Sequence, residues 1–178
     1  MERPPGFEAL FDTSYVEYAN ADIVGTFDDP PPELVHRIHL VATPAPGVVT
    51  ACESVEGWRF LPGGRLEPGE SLESAAGREL HEEAGSKPAG PMNVFFSHVA
   101  HSRNATPYLA HVPHPTMWWV FAVVPTEVIG PPPTDVDGAE QITAVHHLPV
   151  IEAIDWMAHS TDPTGAEVLR LAAHLDLV

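Results

Sequence analysis

"GGRLEPGESLESAAGRELHEEAG", residues 63–85, places six glutamates in one short stretch and crowds Glu79, Glu82 and Glu83 into little more than one helical turn. The spacing predicts a helix over 71–84. Ser71 stands where an N-cap is wanted, and Gly85 stands at the C′ position that favours a left-handed residue. Leu72, Ala76, Leu80 and Ala84 recur at helical intervals and form an apolar stripe. Residues three and four apart share a face, so the three glutamates project from one side, with Glu83 inside the stripe and Glu79 at its edge. Only Glu82 leans toward the solvated side. Acids suit the first turn of a helix; at its C-terminal end, where these three sit, the helix dipole disfavours an anion by about 0.3–1 kcal/mol. Local rules are thus broken twice, by mutual repulsion and by the dipole, and such breaches mark places where another interaction compensates. A histidine-free set of carboxylates suits a hard divalent cation, Mg²⁺ or Mn²⁺.

The rest of the chain narrows the setting. With 178 residues and 44% hydrophobic content there is enough chain for one well-cored domain and too little for two ordinary ones. No apolar run reaches the roughly 18–20 residues of a membrane span, so a soluble protein without a membrane partner is expected. The opening "MERPPGFEAL" lacks the basic flank and apolar core of a secretory signal, and the single Cys52 makes no internal disulfide, which together point to a cytoplasmic protein. Twenty-five acids against eight bases give a formal net charge of −17. Without clustered Lys and Arg to neutralise phosphates, a nucleic acid polymer is excluded as a partner. A small anionic substrate would need a cation to bridge it to so acidic a surface.

Punctuation divides the chain. Residues 1–34 read as an irregular extension closed by "DDPPPE", with "YVEY" and "ADIVGTF" as short strands. This segment carries too many apolar residues, Phe7, Leu10 and Phe11 among them, to be a disordered tail. Its own domain or a second subunit must accept it, and a homodimer is one expected arrangement. The domain proper is expected over 35–178. There, "HRIHLVATPA" (36–45) and "GVVTACES" (47–54) read together as a hairpin, and "GWRFLPGG" (57–64) as a strand entering a glycine-rich loop. Beyond the helix, residues 92–102 and 116–130 are strand-like from their β-branched and aromatic content, followed by a short strand "ITAVHHL" and helices near 149–158 and 163–175. That order predicts an α/β sandwich with a mixed or partly antiparallel sheet and not a doubly wound parallel one.

The glutamate stretch resembles the signature of the Nudix hydrolases, of the MutT-like kind. Gly64, Glu70, Arg78, Glu79, Leu80, Glu82, Glu83 and Gly85 fall in register with it, and Ser86 stands where an aliphatic residue is usual. The resemblance implies an α/β/α sandwich with a mixed central β-sheet, and divalent-metal-dependent hydrolysis of a diphosphate linkage in a nucleotide sugar, dinucleotide or nucleoside triphosphate. By the same resemblance, Glu79, Glu82, Glu83 and the carbonyl of Gly64 hold the metal, Arg78 orients a glutamate, and Glu70 supports the loop–helix junction. Gly63 and Gly64 let the backbone approach closely, and Gly85 ends the helix. The general base is a helix glutamate or an acid of the later loop holding Asp135, Asp137 and Glu140, of which Glu140 is the chosen candidate. A non-catalytic nucleotide sensor on the same fold is the alternative, although a pure binder could discard those repelling charges.

Substrate contacts are expected from Arg59, Arg103, Tyr108 and Trp118, with Trp119 the alternative stacking ring, because guanidinium groups and aromatic faces hold phosphates, sugars and bases. Trp118 and Trp119 must point to opposite faces of their strand. The segment 98–115 carries four histidines in no standard zinc spacing and reads either as a rim loop or as a covered edge.

Overall fold

The computed structural model describes residues 2–134 and 141–178. In chain order the elements are α1 (Glu8–Phe11), β1 (Ser14–Val16), β2 (Ala21–Thr26), β3 (Val35–Thr43), β4 (Val48–Ser54), β5 (Arg59–Phe60) and β6 (Gly63–Arg65). They continue with α2 (Leu72–Ala84), β7 (Ser86–Pro88), β8 (Asn93–Ser102), β9 (Thr116–Val128), β10 (Ile142–Pro149), α3 (Val150–Ala158) and α4 (Thr164–His174).

The larger sheet runs β1-β2-β8-β9-β3-β6, with β7 added to the far end of β9. It is mixed, because β3 and β9 pair in parallel while the other pairs are antiparallel. β9, at the centre, buries both faces from Met117 to Val124 and reads there as a continuous apolar run. On one face, Ile38, Leu40 and Ala42 of β3 and Val120, Ala122 and Val124 of β9 pack on Ala75, Ala76 and Leu80 of α2. On the other, Val41, Phe121 and Val123 join a core shared with α1, α3 and α4. Helices thus cover both faces of a mixed sheet, the α/β arrangement expected from the order of elements.

One expectation is overturned. β3 and β4 do not form a hairpin: β4 leaves for a separate three-stranded sheet, β10-β4-β5, and only an isolated bridge between Ala45 and Val48 marks the turn. Each strand finds a longer partner elsewhere. β3 lies along β9 from Val35–Trp118 to Thr43–Pro125, and β4 along β10 from Val48–Pro149 to Ser54–Ile142.

The first 34 residues share this framework. β2 pairs with β8 from Ala21–Ser102 to Thr26–Ser97, and Phe7, Leu10 and Phe11 are buried in the core beside Phe96. Gly25 permits the close approach, since a Cβ there would collide with the Leu10 carbonyl and the Phe96 ring. No helix among the described residues is long and apolar enough to cross a membrane.

Candidate active site

α2 begins and ends as its sequence dictates. The Ser71 hydroxyl accepts from the Ser74 N–H at 3.2 Å, and Gly85, at φ 55°, takes the left-handed conformation and donates its N–H to the His81 carbonyl. A Cβ on Gly85 would strike the Gly130 carbonyl, so glycine is required twice over. At the other end of the stretch, Gly63 has φ 153° and runs so close to β3 that a Cβ would meet the Ile38 carbonyl. Gly64 differs: its backbone is ordinary, and a Cβ would instead overlap the Glu79 carboxylate.

Arg78 is the hub. Its Nε and Nη2 donate to the two oxygens of Glu70, both at 3.0 Å, in a bidentate fork. Nη1 donates to Glu79 at 2.8 Å and to Glu82 at 3.2 Å, while Nη2 also reaches the Arg65 carbonyl at 2.9 Å. One guanidinium therefore ties three carboxylates and the β6 backbone together. Hydrogen bonding to Arg78 holds the Glu70 carboxyl below its usual range, and Glu70 in turn accepts from the Glu67 N–H at 2.9 Å, closing the loop ahead of α2.

Glu79 and Glu83 are each only 6% exposed, which agrees with their places at the edge of and within the apolar stripe. Burial pushes the Glu79 carboxyl up, against the opposing pull of Arg78. Glu83 accepts the Gly63 N–H at 2.8 Å, and its own carbonyl accepts from the Cys52 thiol at 3.3 Å. Burial, then the Glu83 charge, raises the Cys52 thiol well above its normal range, so it stays protonated.

In this arrangement Glu79 and Glu82 are turned onto Arg78, and Glu83 onto the Gly63 amide. Among the described residues, no three acid, imidazole or thiol side chains converge into a ready-made ion site. The donor set nonetheless fits a hard divalent cation, being carboxylates and backbone carbonyls without a nitrogen or sulfur donor. The missing side chain at Gly64 leaves the Glu79 carboxylate flush against the backbone, a cradle that any Cβ would fill.

The expected substrate contacts scatter. Tyr108 reaches a cleft of about 230 Å³ also lined by Tyr18, His36, Arg37, Arg65 and Trp119. Trp118 does not line it. Both tryptophans are buried, but β9 alternates its faces, and it is Trp119 that turns to the cleft. Arg59 is drawn away to α3, its guanidinium 4.7 Å from the Trp156 ring centroid and donating to the Trp156 carbonyl. Arg103 forks onto Asp22 at 2.6 and 2.8 Å and lies over Tyr15, an exposed pair bracing β2 against β8. Asp135, Asp137 and Glu140 lie outside the described residues. Of the histidine-bearing segment, His98 is buried against the Leu10 carbonyl, His101 is exposed, and neither belongs to the glutamate cluster. Trp119, the alternative stacking ring, is the one brought to the cleft, whereas Arg37, Arg65 and Tyr18 escaped the sequence reading, because only the pairing of β3 with β6 and the packing of the lead-in bring them there.

A model of the NUDIX domain matches residues 34–171. The chain belongs to the Nudix family. Membership makes it a hydrolase acting on pyrophosphate bonds, in a family whose members generally use divalent metals and small nucleotide substrates. Among solved structures, the fold is similar to that of a variant of the Bacillus subtilis pyrophosphohydrolase BsRppH. That pair has a TM-score of 0.55 and 16% identity over 78% of this chain and 77% of the other. It is also similar to a NUDIX hydrolase from Nitrosomonas europaea, with a TM-score of 0.53 and 18% identity over 80% of this chain and 90% of the other. No curated protein matches the sequence at a significant level.

Proposed function

We propose that the protein hydrolyses the pyrophosphate linkage of a nucleoside diphosphate derivative, with Mg²⁺ or Mn²⁺ held by Glu79, Glu82, Glu83 and the Gly64 carbonyl. The observation that carries this reading is the burial of Glu79 against Gly64 and of Glu83 on the Gly63 amide at the unfavourable end of α2, an arrangement that destabilises the protein unless positive charge gathers there. A bound divalent cation supplies neutralisation of the charge on the diphosphate oxygens.

The chain's own groups have separable parts in this. Arg78 offsets a share of the repulsion and presets the rotamers of Glu79 and Glu82. Glu70 locks Arg78 from the far side through its fork, so that the guanidinium cannot swing toward solvent. Glu79, whose burial favours the protonated form, is a group able to take a proton from attacking water at the box itself. Glu140 is a second candidate for that role.

A phosphate-release screen over nucleotide sugars, dinucleoside polyphosphates and nucleoside triphosphates, with and without Mg²⁺, tests the proposal. Glu82 is the most exposed of the three glutamates that contact Arg78, with 17% of its side chain accessible, so Glu82→Gln is the variant that leaves packing intact. Turnover is expected to need Mg²⁺ and to vanish in Glu82→Gln while circular dichroism is unchanged. Full turnover in that variant would remove the mechanism.

A further inference from the structure

In a chain of net charge −17, a basic side chain without an acid beside it is rare. Eight Lys and Arg residues are present, and six of them, Arg3, Arg59, Arg78, Lys87, Arg103 and Arg170, sit 3.9 Å or less from a carboxylate. The remaining two are Arg37 and Arg65, and among the described residues neither has such a partner. They are direct cross-strand neighbours in the antiparallel pair β3–β6, where like charges oppose one another unfavourably. Both line the same cleft.

Their surroundings are aromatic and cationic together. Arg37 lies 5.6 Å from the ring centroids of both Tyr18 and Trp119 and donates to the Tyr18 hydroxyl at 2.7 Å. Tyr18 and Trp119 are near-parallel, with planes 13° apart and centroids 6.4 Å apart. Arg65 lies 5.3 Å from the Tyr108 ring centroid, and Tyr108 is hydrogen-bonded to His36. The indole N–H of Trp119 is buried without a hydrogen-bond partner. Burial and the two nearby guanidinium groups push His36 down to about 4, so it remains neutral and adds no charge of its own.

Strand alternation separates this cleft from the glutamates. Gly64 and its β3 partner Ile38 face α2 and Glu79, whereas Arg37 and Arg65, one position along, face the other side. A group held by both guanidiniums is therefore a different part of the ligand from the diphosphate at the box. A volume of about 230 Å³ is room for a ring and its substituents.

We propose that this cleft selects the substrate, and that it takes a phosphate group additional to the scissile diphosphate, carried beside an aromatic base. Arg37 and Arg65 hold that phosphate, while Tyr18, Tyr108 and Trp119 give the base its apolar walls. Tyr18 lies outside the residues matched by the Nudix model, so this chain adds one wall of the cleft with its own N-terminal segment. The word "substrate" rests on the hydrolase reading above; the binding preference does not.

Isothermal titration in EDTA, which removes any contribution of cations at the glutamates, compares a nucleoside 5′-monophosphate with the 2′,5′- and 3′,5′-bisphosphates of the same nucleoside. At least one bisphosphate is expected to bind about tenfold more tightly, the value of one added charge-assisted contact. Arg37→Gln, Arg65→Gln and the double variant should bring the two affinities within about twofold, with Glu82→Gln keeping the preference. The control K87Q/R170Q removes two positive charges elsewhere and should also keep it. Equal affinities in the wild type, a preference that survives R37Q/R65Q, or its equal loss in K87Q/R170Q would each overturn the proposal. Hydrolysis by Glu82→Gln reports on the pyrophosphohydrolase reading separately, because that variant leaves the cleft untouched.

Discussion

Replacing Arg78 with Leu removes one cation from among three carboxylates, and the structure sets the size of the effect. Glu70, Glu79 and Glu82 have side chains only 12%, 8% and 17% exposed, and each accepts a hydrogen bond from Arg78. Removing one partner of a buried ion pair costs about 3–5 kcal/mol, since the remaining charge keeps its desolvation penalty and loses its compensation. Arg78 is itself 24% exposed, and water reaching the cluster brings the figure to the low end, about 3 kcal/mol. For a domain of this size each kcal/mol lowers Tm by about 2–4 °C, so in EDTA the variant should melt about 6–12 °C below the wild type. Arg78→Lys, which keeps the charge and loses the fork, should fall between them. The pH dependence has a definite sign. The folded Glu70 carboxyl titrates below its unfolded value, so the stability it contributes is present above about pH 4.3 and is lost as pH falls through the folded value. The gap between wild type and Arg78→Leu should therefore narrow on acidification. Added Mg²⁺ should raise Tm in both proteins and by more in Arg78→Leu, where it replaces the missing positive charge. A loss under about 1 kcal/mol in EDTA, by calorimetry or urea titration, would refute the claim that Arg78 compensates buried charge.

Other consequences are separable. Gly64→Ala should fold with a modest loss, about 1–3 kcal/mol of overpacking against Glu79, yet lose most turnover; Gly63→Ala should lose stability outright, because its Cβ meets backbone. Thermal melts alongside phosphate release distinguish the two. His98 is 3% exposed and its folded form titrates down at about 4, so the unfolded chain takes a proton that the folded one refuses. Stability should fall as pH drops from about 6.5 toward 4, by up to about 1.4 kcal/mol per pH unit, and His98→Gln should flatten that slope in urea titrations. Cys52, buried and held protonated, should react with a thiol reagent only when the chain opens, at a rate that rises with denaturant.

The parts of the molecule that were legible in the sequence are those decided locally. Ser71 and Gly85 bound α2 through contacts within four residues, and the three- and four-residue spacings placed Glu79 and Glu83 against the core and Arg78 within reach of Glu82. Parts decided by distant partners were not legible. β3 and β4 have the alternation and the turn of a hairpin, but β9 and β10 are better partners for them, and those choices involve residues some 80–100 positions away. β7, three residues long and containing Pro88, exists because β9 overhangs far enough to pair with it. Trp118 and Trp119 are indistinguishable by composition, and only the face of β9 that turns to Tyr18 separates them. Arg59 and Arg103, plausible phosphate ligands by residue type, are claimed by Glu53 and Trp156 and by Asp22.

Anomalous diffraction from crystals soaked in Mn²⁺ tests the central claim most directly, because it locates the ions without reference to activity. At least one peak is predicted within coordination distance of Glu79, Glu82 and Glu83 and of the Gly64 carbonyl, with the first two carboxylates drawn away from Arg78. Crystals of active enzyme that show no peak there, with both carboxylates still on the guanidinium, would contradict it.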